Sequence, residues 1–402
     1  MAPDIDMNEK VNRICGGTAE EVSLETIRAE VAQYLQLDRL NFLIGAGCSS
    51  HLVDGEEKGI MGMRGLYKSF FEHYPDFEIA GVKANGLFDG NLEAMLGTIN
   101  AVATVNGLTE VDASIDEKAS IVREFIRSSV IGGMSGEEVA SLYRGFFQGV
   151  VSQGRRAPIN IFTTNYDLYA EQALDSLRFP YNNGFSGTYR RSFDPASYRY
   201  ALVEDLRLSR DAWGRVPNYF NLYKLHGSVS WIRDETDDVR EVDYTGITDD
   251  QTVMIYPTPL KDRSTLMTPY SDLFRSMENA LLQNNSVLIV MGYSFGDEHI
   301  NRLIYNALAV PTFRLVVFGS SENINKLNEL GDSRIVIINS KDKIHYFSNL
   351  VNKVFPNASD ELLEELRVRE VAKNLSRVLG LEPDGGVMVA QDDARETGQT
   401  NE

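Results

Sequence analysis

The stretch Leu40-Asn41-Phe42-Leu43-Ile44-Gly45-Ala46-Gly47-Cys48-Ser49-Ser50 decides how the rest of the chain is read. Leu40–Ile44 is too short for a helix and dense enough in apolar side chains for a strand buried on both faces. Gly45 and Gly47 then end it in a turn without side-chain bulk, where backbone N–H groups can approach a pyrophosphate. Ser49 and Ser50 add hydroxyl donors, and a following helix would add its dipole. Taken alone, the motif also fits a tight strand exit that holds no ligand. A hydride-transfer enzyme is disfavoured. Ser50 stands where the third glycine of a dinucleotide fingerprint would be, and no acidic residue follows at about 20 residues to hold a ribose.

Similar strands recur downstream at Pro158–Thr163, Asn221–Leu225, Val253–Tyr256, Ser286–Met291, Phe313–Phe318 and Arg334–Ile338. Helical periods at 167–178, 270–284, 298–309 and 322–330 separate most of them. This alternation predicts an α/β fold, a Rossmann-like doubly wound parallel sheet covered on both faces. Between about 62 and 155 the periods are helical only (Asn91–Val105, Asp116–Ser129, Ser135–Gln153), which predicts an all-helical insertion. Upstream, Thr18 and Glu21 have capping-box spacing, and Leu24, Ile27, Val31, Tyr34 and Leu35 form one stripe. A helix over 19–36 behind a polar arm is expected. Helical patterns at 341–354 and 359–380 supply C-terminal helices. The chain thus divides into an N-terminal arm and helix (1–37), a main domain (38–340) with its insertion, C-terminal helices (341–381), and a disordered tail (382–402) rich in Gly, Asp and Thr.

Composition narrows the function. The chain has 402 residues, and 39 Lys and Arg against 58 Asp and Glu give a net charge of −19. Such a surface repels phosphate backbones, so direct nucleic-acid binding is not expected. Two cysteines, Cys15 and Cys48, exclude a disulfide scaffold and any one-chain zinc site of four cysteines or of three with a histidine. No signal peptide opens the chain. The longest apolar run, around Val287–Met291, is far short of the roughly 20 residues that span a bilayer. A cytoplasmic protein without membrane association is expected.

In a doubly wound sheet, ligands sit at the carboxyl ends of the strands. The residues that follow each strand are Gly45–Ser50, Thr163-Thr164-Asn165-Tyr166-Asp167, His226-Gly227-Ser228, Gly292-Tyr293-Ser294-Phe295-Gly296-Asp297-Glu298-His299, and Gly319-Ser320-Ser321-Glu322. Glycine, hydroxyl, amide and imidazole groups gather on one edge. Singly, each has an ordinary role. Asn165 could be a turn or cap residue, a job Asp167 could share. His226 could be a satisfied core imidazole. Cys48 reads as a small buried residue rather than a nucleophile.

Together these residues resemble the sirtuin family, which carries G-A-G-I-S, T-Q-N-x-D and H-G after the strands of a Rossmann-like sheet. The matching positions are Gly45-Ala46-Gly47-Cys48-Ser49, Thr163–Asp167 and His226-Gly227. The Gly292–Asp297 block is similar to that of the bacterial sirtuin-like branch of anti-phage defence. The resemblance spans roughly 38–340. It implies that Gly45, Ala46, Gly47 and Ser49 hold the pyrophosphate of NAD+, that Asn165 and Asp167 position the nicotinamide ribose, and that His226 is the general base. It further implies that Gly292, Ser294, Gly319 and Ser320 line the adenosine ribose.

The departures from the family pattern redirect the activity. Deacylases of the family carry a four-cysteine zinc module after H-G, whereas Ser228–Arg233 and the acidic 234–250 stretch contain no cysteine. No zinc is expected, and support for an acyl-lysine peptide is missing. Thr164 replaces the family's Gln, and in the loop after the first motif only Arg64 could match the family's Asp, Phe and Arg. The resemblance therefore implies an NAD+ glycohydrolase of abortive anti-phage defence, with Asn165 and His226 catalytic and water as acceptor. Linear and cyclic ADP-ribose are both compatible products. Constitutive activity would be toxic, and the resemblance implies control by homo-oligomerisation and by a HerA-type ATPase translocase in trans. The alternatives are an NAD+ or ADP-ribose-binding regulatory module without turnover, and an NAD-dependent protein deacylase.

Overall fold

A computed structural model of the protein describes residues 6–53, 56–106, 112–151, 155, 157–205, 213–246, 252–254 and 268–355. Nine strands form the central sheet: β1 (Lys10–Cys15), β2 (Thr18–Ser23), β3 (Arg39–Ile44), β4 (Ile159–Thr163), β5 (Tyr181–Asn182), β6 (Phe220–Lys224), β7 (Ser286–Met291), β8 (Arg314–Phe318) and β9 (Ile335–Asn339). Their order across the sheet is β2-β1-β9-β8-β7-β3-β4-β6-β5. From β9 to β5 every pairing is parallel, and only the two pairings that β1 makes, with β2 and with β9, are antiparallel. The chain builds outward from β3 through β4 to β6, then returns to the other side of β3 and builds through β7 and β8 to β9. The order reverses between β3 and β7, the topological switch point of a Rossmann-like sheet. This is the doubly wound α/β fold that the strand alternation predicts.

Within β3 successive side chains go to opposite faces. Phe42 and Ile44 join the cluster under α1 (Leu24–Leu35), α5 (Glu137–Val150) and α6 (Tyr169–Leu177). Leu43 joins the cluster under α7 (Tyr270–Leu281), α8 (Glu298–Ala307) and α9 (Glu322–Asn328). Burial on both faces is why Leu40–Ile44 reads as a continuous apolar run.

The N-terminus departs from the expected helix over 19–36. Residues 10–23 are a hairpin, turned at Gly16 and Gly17 with φ of +57° and +81°. Its first strand extends the sheet edge by pairing Asn12–Cys15 with Val336–Asn339. The helix begins at Leu24, where the Ser23 hydroxyl accepts from the Thr26 N–H at 3.3 Å. Sheet pairing overrides the weak local helix signal of Thr18–Glu21, whose Glu20 instead meets Arg13 across the hairpin at 2.7 Å.

The insertion contains α2 (Met63–His73), α3 (Leu92–Asn106), α4 (Ile115–Gly133) and α5. Helices α2, α3 and α4 share their own apolar core, with Phe70, Leu96 and Val122 fully buried. Helix α5 packs on the sheet instead, through Phe146 and Phe147. The segment is not wholly helical, because Glu78–Ile79 pairs with Val82–Lys83 across Ala80 and Gly81, both at positive φ.

A second, five-stranded antiparallel sheet (strands 185–186, 191–193, 239–241, 227–233 and 252–254) holds fully buried Trp231, and its longest strand starts directly after His226. The acidic 234–250 stretch begins as a tight turn, where the Asp234 carboxylate accepts from the N–H groups of Thr236 and Asp238 at 2.9 and 3.1 Å. At the C-terminus, Phe347–Asn349 and Leu350–Val354 are helical turns packed on α1 and α5. The expected helix at 359–380 and the tail at 382–402 lie outside the described residues. Among the described residues no helix is long and apolar enough to cross a membrane.

Candidate functional site

Four strands of the central sheet end around one cavity of about 420 Å³ at the switch point. The turn after β3 is one 3-10 turn, Ala46–Cys48, and a short strand follows at Ser50. The helix expected there, with its dipole, is absent from this position. The turn is held by backbone contacts with the turn after β7. Gly45 N–H donates to the Met291 carbonyl and Gly47 N–H to that of Gly292, both at 2.9 Å. A Cβ on Gly45 would lie 2.4 Å from the Gly292 oxygen. Gly292 has φ +62°, and a Cβ there would lie 2.6 Å from the Cys48 nitrogen. These glycines are required by the close approach of two backbones.

Asn165 sits at the end of β4. Its N–H donates to the Thr163 hydroxyl at 3.0 Å. Its side-chain NH2 donates to the Gly45 carbonyl at 3.0 Å and to Ser49 Oγ at 2.9 Å. A carbonyl can only accept, so the amide's orientation is fixed. Its Oδ1 is left buried with no hydrogen-bond partner. A buried amide oxygen without a donor costs roughly 1–3 kcal/mol and is the atom a ligand hydroxyl would satisfy.

Behind Asn165, Ser49 Oγ donates to Asp167 Oδ2 at 2.7 Å and lies 3.1 Å from the hydroxyl of Tyr143, a fully buried residue of α5. Burial, with Asp167 adding in the same direction, pushes the Tyr143 phenol far above its usual range, so it stays neutral. Asp167 Oδ1 also accepts from the N–H of Tyr169, the first residue of α6, at 3.1 Å. Lys224, at the end of β6, donates to the Asp167 carbonyl and lies 3.1 Å from Glu171. Burial raises the Glu171 carboxyl above its ordinary value, and Lys224 opposes that rise. This buried pair ties the Asn165–Asp167 loop to the strand that presents His226.

His226 follows β6 by two residues and is buried. Its Nε2 lies 3.0 Å from Asp297 Oδ2, and Tyr166 lies beside it with ring centroids 6.4 Å apart. The other Asp297 oxygen caps α8, accepting from the His299 N–H at 2.9 Å.

The cavity brings together Ala46, Ser49, Asn165, Asp167, His226, Gly292 and Ser294 of the residues expected at the site. Gly45 and Gly47 stand behind it as backbone packing. Gly319 and Ser320 do not line it. Ser320 Oγ instead faces His345 Nε2 at 3.5 Å. One wall is apolar and comes from the insertion and the two residues that lead into it: Ile60, Met61, Met63, Leu66, Ile126 and Val130. Arg64 does not line the cavity. Cys48 is fully buried, and burial pushes its thiol well above the usual range, which removes it as a nucleophile. Asp297 and Tyr143 also belong to the site, although the strand-end pattern gives neither a role. Aspartate directly before a helix, as a cap, was the available signal for the first, and nothing local marks the second. Among the described residues no three His, Cys, Asp or Glu side chains gather as a metal-ligand group.

Residues 159–335 match the family model described as SIR2-like domain. One solved chain, described by the words "Structural Basis for the Mechanism and Regulation of Sir2 Enzymes", is similar at 12% identity with a TM-score of 0.39, covering 85% of this chain and 98% of that one. No curated protein matches the chain in sequence.

Proposed function

We propose that this chain is an NAD+ glycohydrolase, cleaving NAD+ to nicotinamide and ADP-ribose. The observation that carries the reading is the orphaned Oδ1 of Asn165 in a cavity that also holds His226, at the switch point of a sheet whose 159–335 segment matches the SIR2-like domain. The residues suit NAD+ as a substrate. The Ala46–Ser49 turn is free of bulky side chains on the cavity side, the amide oxygen can accept from a ribose hydroxyl, and the apolar wall suits a pyridine ring. A volume of about 420 Å³ is in the range of a small-molecule site.

The glycosidic bond of NAD+ joins ribose C1′ to a pyridinium nitrogen. As it breaks, its electron pair leaves with neutral nicotinamide and positive charge builds on the ribose. Positioning and electrostatics therefore matter more than a strong nucleophile. Asn165 fixes the ribose through its hydroxyls. His226 accepts a proton from a ribose hydroxyl or from the water whose oxygen bonds to C1′. Tyr143, Ser49 and Asp167 hold the Asn165 amide in place.

Further parts of the proposal come from the family resemblance. The enzyme would serve anti-phage defence by depleting NAD+, act in the cytoplasm as a homo-oligomer, and be governed by a HerA-type ATPase in trans. The test is incubation of purified protein with NAD+, alone and with a co-encoded ATPase, and separation of the products by chromatography. Nicotinamide with ADP-ribose in equal amounts supports the reading. Binding without turnover in either condition would leave a regulatory module, and turnover only with an acyl-lysine peptide would make it a deacylase.

A further inference from the structure

We infer that Asp297 is the positioning residue of His226, holding the imidazole by Nε2 and fixing it as the Nε2–H tautomer. The inference rests on the glycohydrolase reading for its catalytic part and on geometry for the rest. The two side chains come from opposite halves of the sheet, His226 after β6 and Asp297 before α8. They meet at 3.0 Å with only 7% and 8% of their surfaces exposed.

A carboxylate can only accept, so the shared hydrogen belongs to His226 Nε2, which leaves the lone pair on Nδ1. The carboxylate is itself fixed. Its Oδ1 takes the His299 and Ile300 N–H groups at 2.9 and 3.4 Å, at the positive end of α8. Its backbone is held as well: Tyr293 OH accepts from the Asp297 N–H at 3.3 Å and faces the Asp297 carbonyl at 3.2 Å. Asn301 closes the ring by donating to the Phe295 carbonyl at 2.9 Å. A carboxylate that only capped a helix would not need its second oxygen on a buried imidazole at the cavity wall. This one joins the rigid start of α8 to the group that must become cationic during turnover, and a negative charge at that distance stabilises the cation.

The other titratable groups facing this cavity are Asp167, Glu93, Tyr166 and Tyr293. A rate profile alone would mix their ionisations with that of His226, so the test reads the ring directly. The full chain, labelled with 15N-histidine, contains five histidines, and His226→Gln assigns the signal of interest. Wild type is expected to show the Nε2–H tautomer. In Asp297→Asn and Asp297→Ser, both good helix caps that preserve α8, that tautomer loses population and protonation moves about 1 pH unit or more lower. The His299 signal stays in place as the control for the helix. In parallel, kcat for NAD+ falls about 10²-fold or more while NAD+ affinity stays within about 3-fold. An unchanged His226 spectrum in both variants overturns the inference whatever the rates do. No NAD+ consumption by wild type, with or without the ATPase, fails the glycohydrolase reading instead and takes the catalytic part of this inference with it.

Discussion

The turns after β3 and β7 meet backbone to backbone, and that approach gives a quantitative prediction. Gly45→Ala introduces a Cβ 2.4 Å from the Gly292 oxygen, 2.7 Å from the Tyr293 Cα and 2.8 Å from the Gly292 carbonyl carbon. All three are backbone atoms and cannot rotate away. Gly45 has φ −106°, so strain plays no part and the cost is overpacking alone, about 1–3 kcal/mol. Gly292→Ala meets Cys48 N at 2.6 Å and also forces an L-residue to φ +62°. Left-handed strain of about 1–2 kcal/mol adds to a similar overpacking cost, for about 2–5 kcal/mol. If the two sites were independent, the double variant would lose about 3–8 kcal/mol. They are not independent, because either methyl parts the same two turns. Once the turns have separated, the second substitution adds little beyond what the first lacks, and the double variant should lose about 2–5 kcal/mol. Urea unfolding followed by the fluorescence of buried Trp231 measures all three. A Gly45→Ala variant within about 0.5 kcal/mol of wild type, or a double variant whose losses simply add, would refute the argument.

Three further outcomes follow from the same geometry. Lys224→Met strands Glu171 beside the Asp167 carbonyl, and removing one partner of a buried pair costs about 3–5 kcal/mol. The Glu171 carboxyl is already raised in the folded state, so its contribution is fully present below its unfolded value and is lost as pH rises through the folded one. Losing Lys224 raises it further, so the destabilisation should be larger at pH 8 than at pH 5 in urea titrations, and an equal loss at both would contradict this. Asn165→Asp replaces the NH2 that donates to the Gly45 carbonyl with an acceptor. It should lower kcat for NAD+ by about 10²-fold or more, more than it weakens binding, as steady-state rates beside calorimetry would read. Cys48 is fully buried while Cys15 is partly exposed, its thiol donating to the Ser333 carbonyl at 3.3 Å. Iodoacetamide at pH 8 should therefore add one group to the native chain and two in urea, counted by mass spectrometry.

The parts of the fold that were legible in the sequence are those whose signal is local. Leu40–Ile44, Ser286–Met291 and Arg314–Phe318 are buried on both faces, so their apolar runs announce strands without help from neighbours. The N-terminal hairpin is opaque because of its β1–β2 residues only Val11 is fully buried, and its first strand is fixed by pairing with residues more than 300 positions away while its second pairs with the first alone. The second sheet is built largely from strands of two or three residues, too short to carry a period. The site divides in the same way. Asn165 and His226 stand directly after strands and could be read as a gathering at one edge. Their supports could not, since Asp297 is 71 positions from His226 and Tyr143 is 94 from Ser49, and only folding brings each pair within 3.1 Å.

The most direct test of the account separates binding from turnover in one pair of variants. NAD+ dissociation constants and turnover rates would be measured for wild type, His226→Ala and Asn165→Ala, under whichever condition activates wild type. The account predicts that His226→Ala keeps NAD+ affinity within a few-fold and loses about 10²-fold or more in turnover. It predicts that Asn165→Ala, which removes the orphaned oxygen, loses turnover as well. Wild-type turnover in both variants would contradict the assignment of this cavity as the place where NAD+ is cleaved.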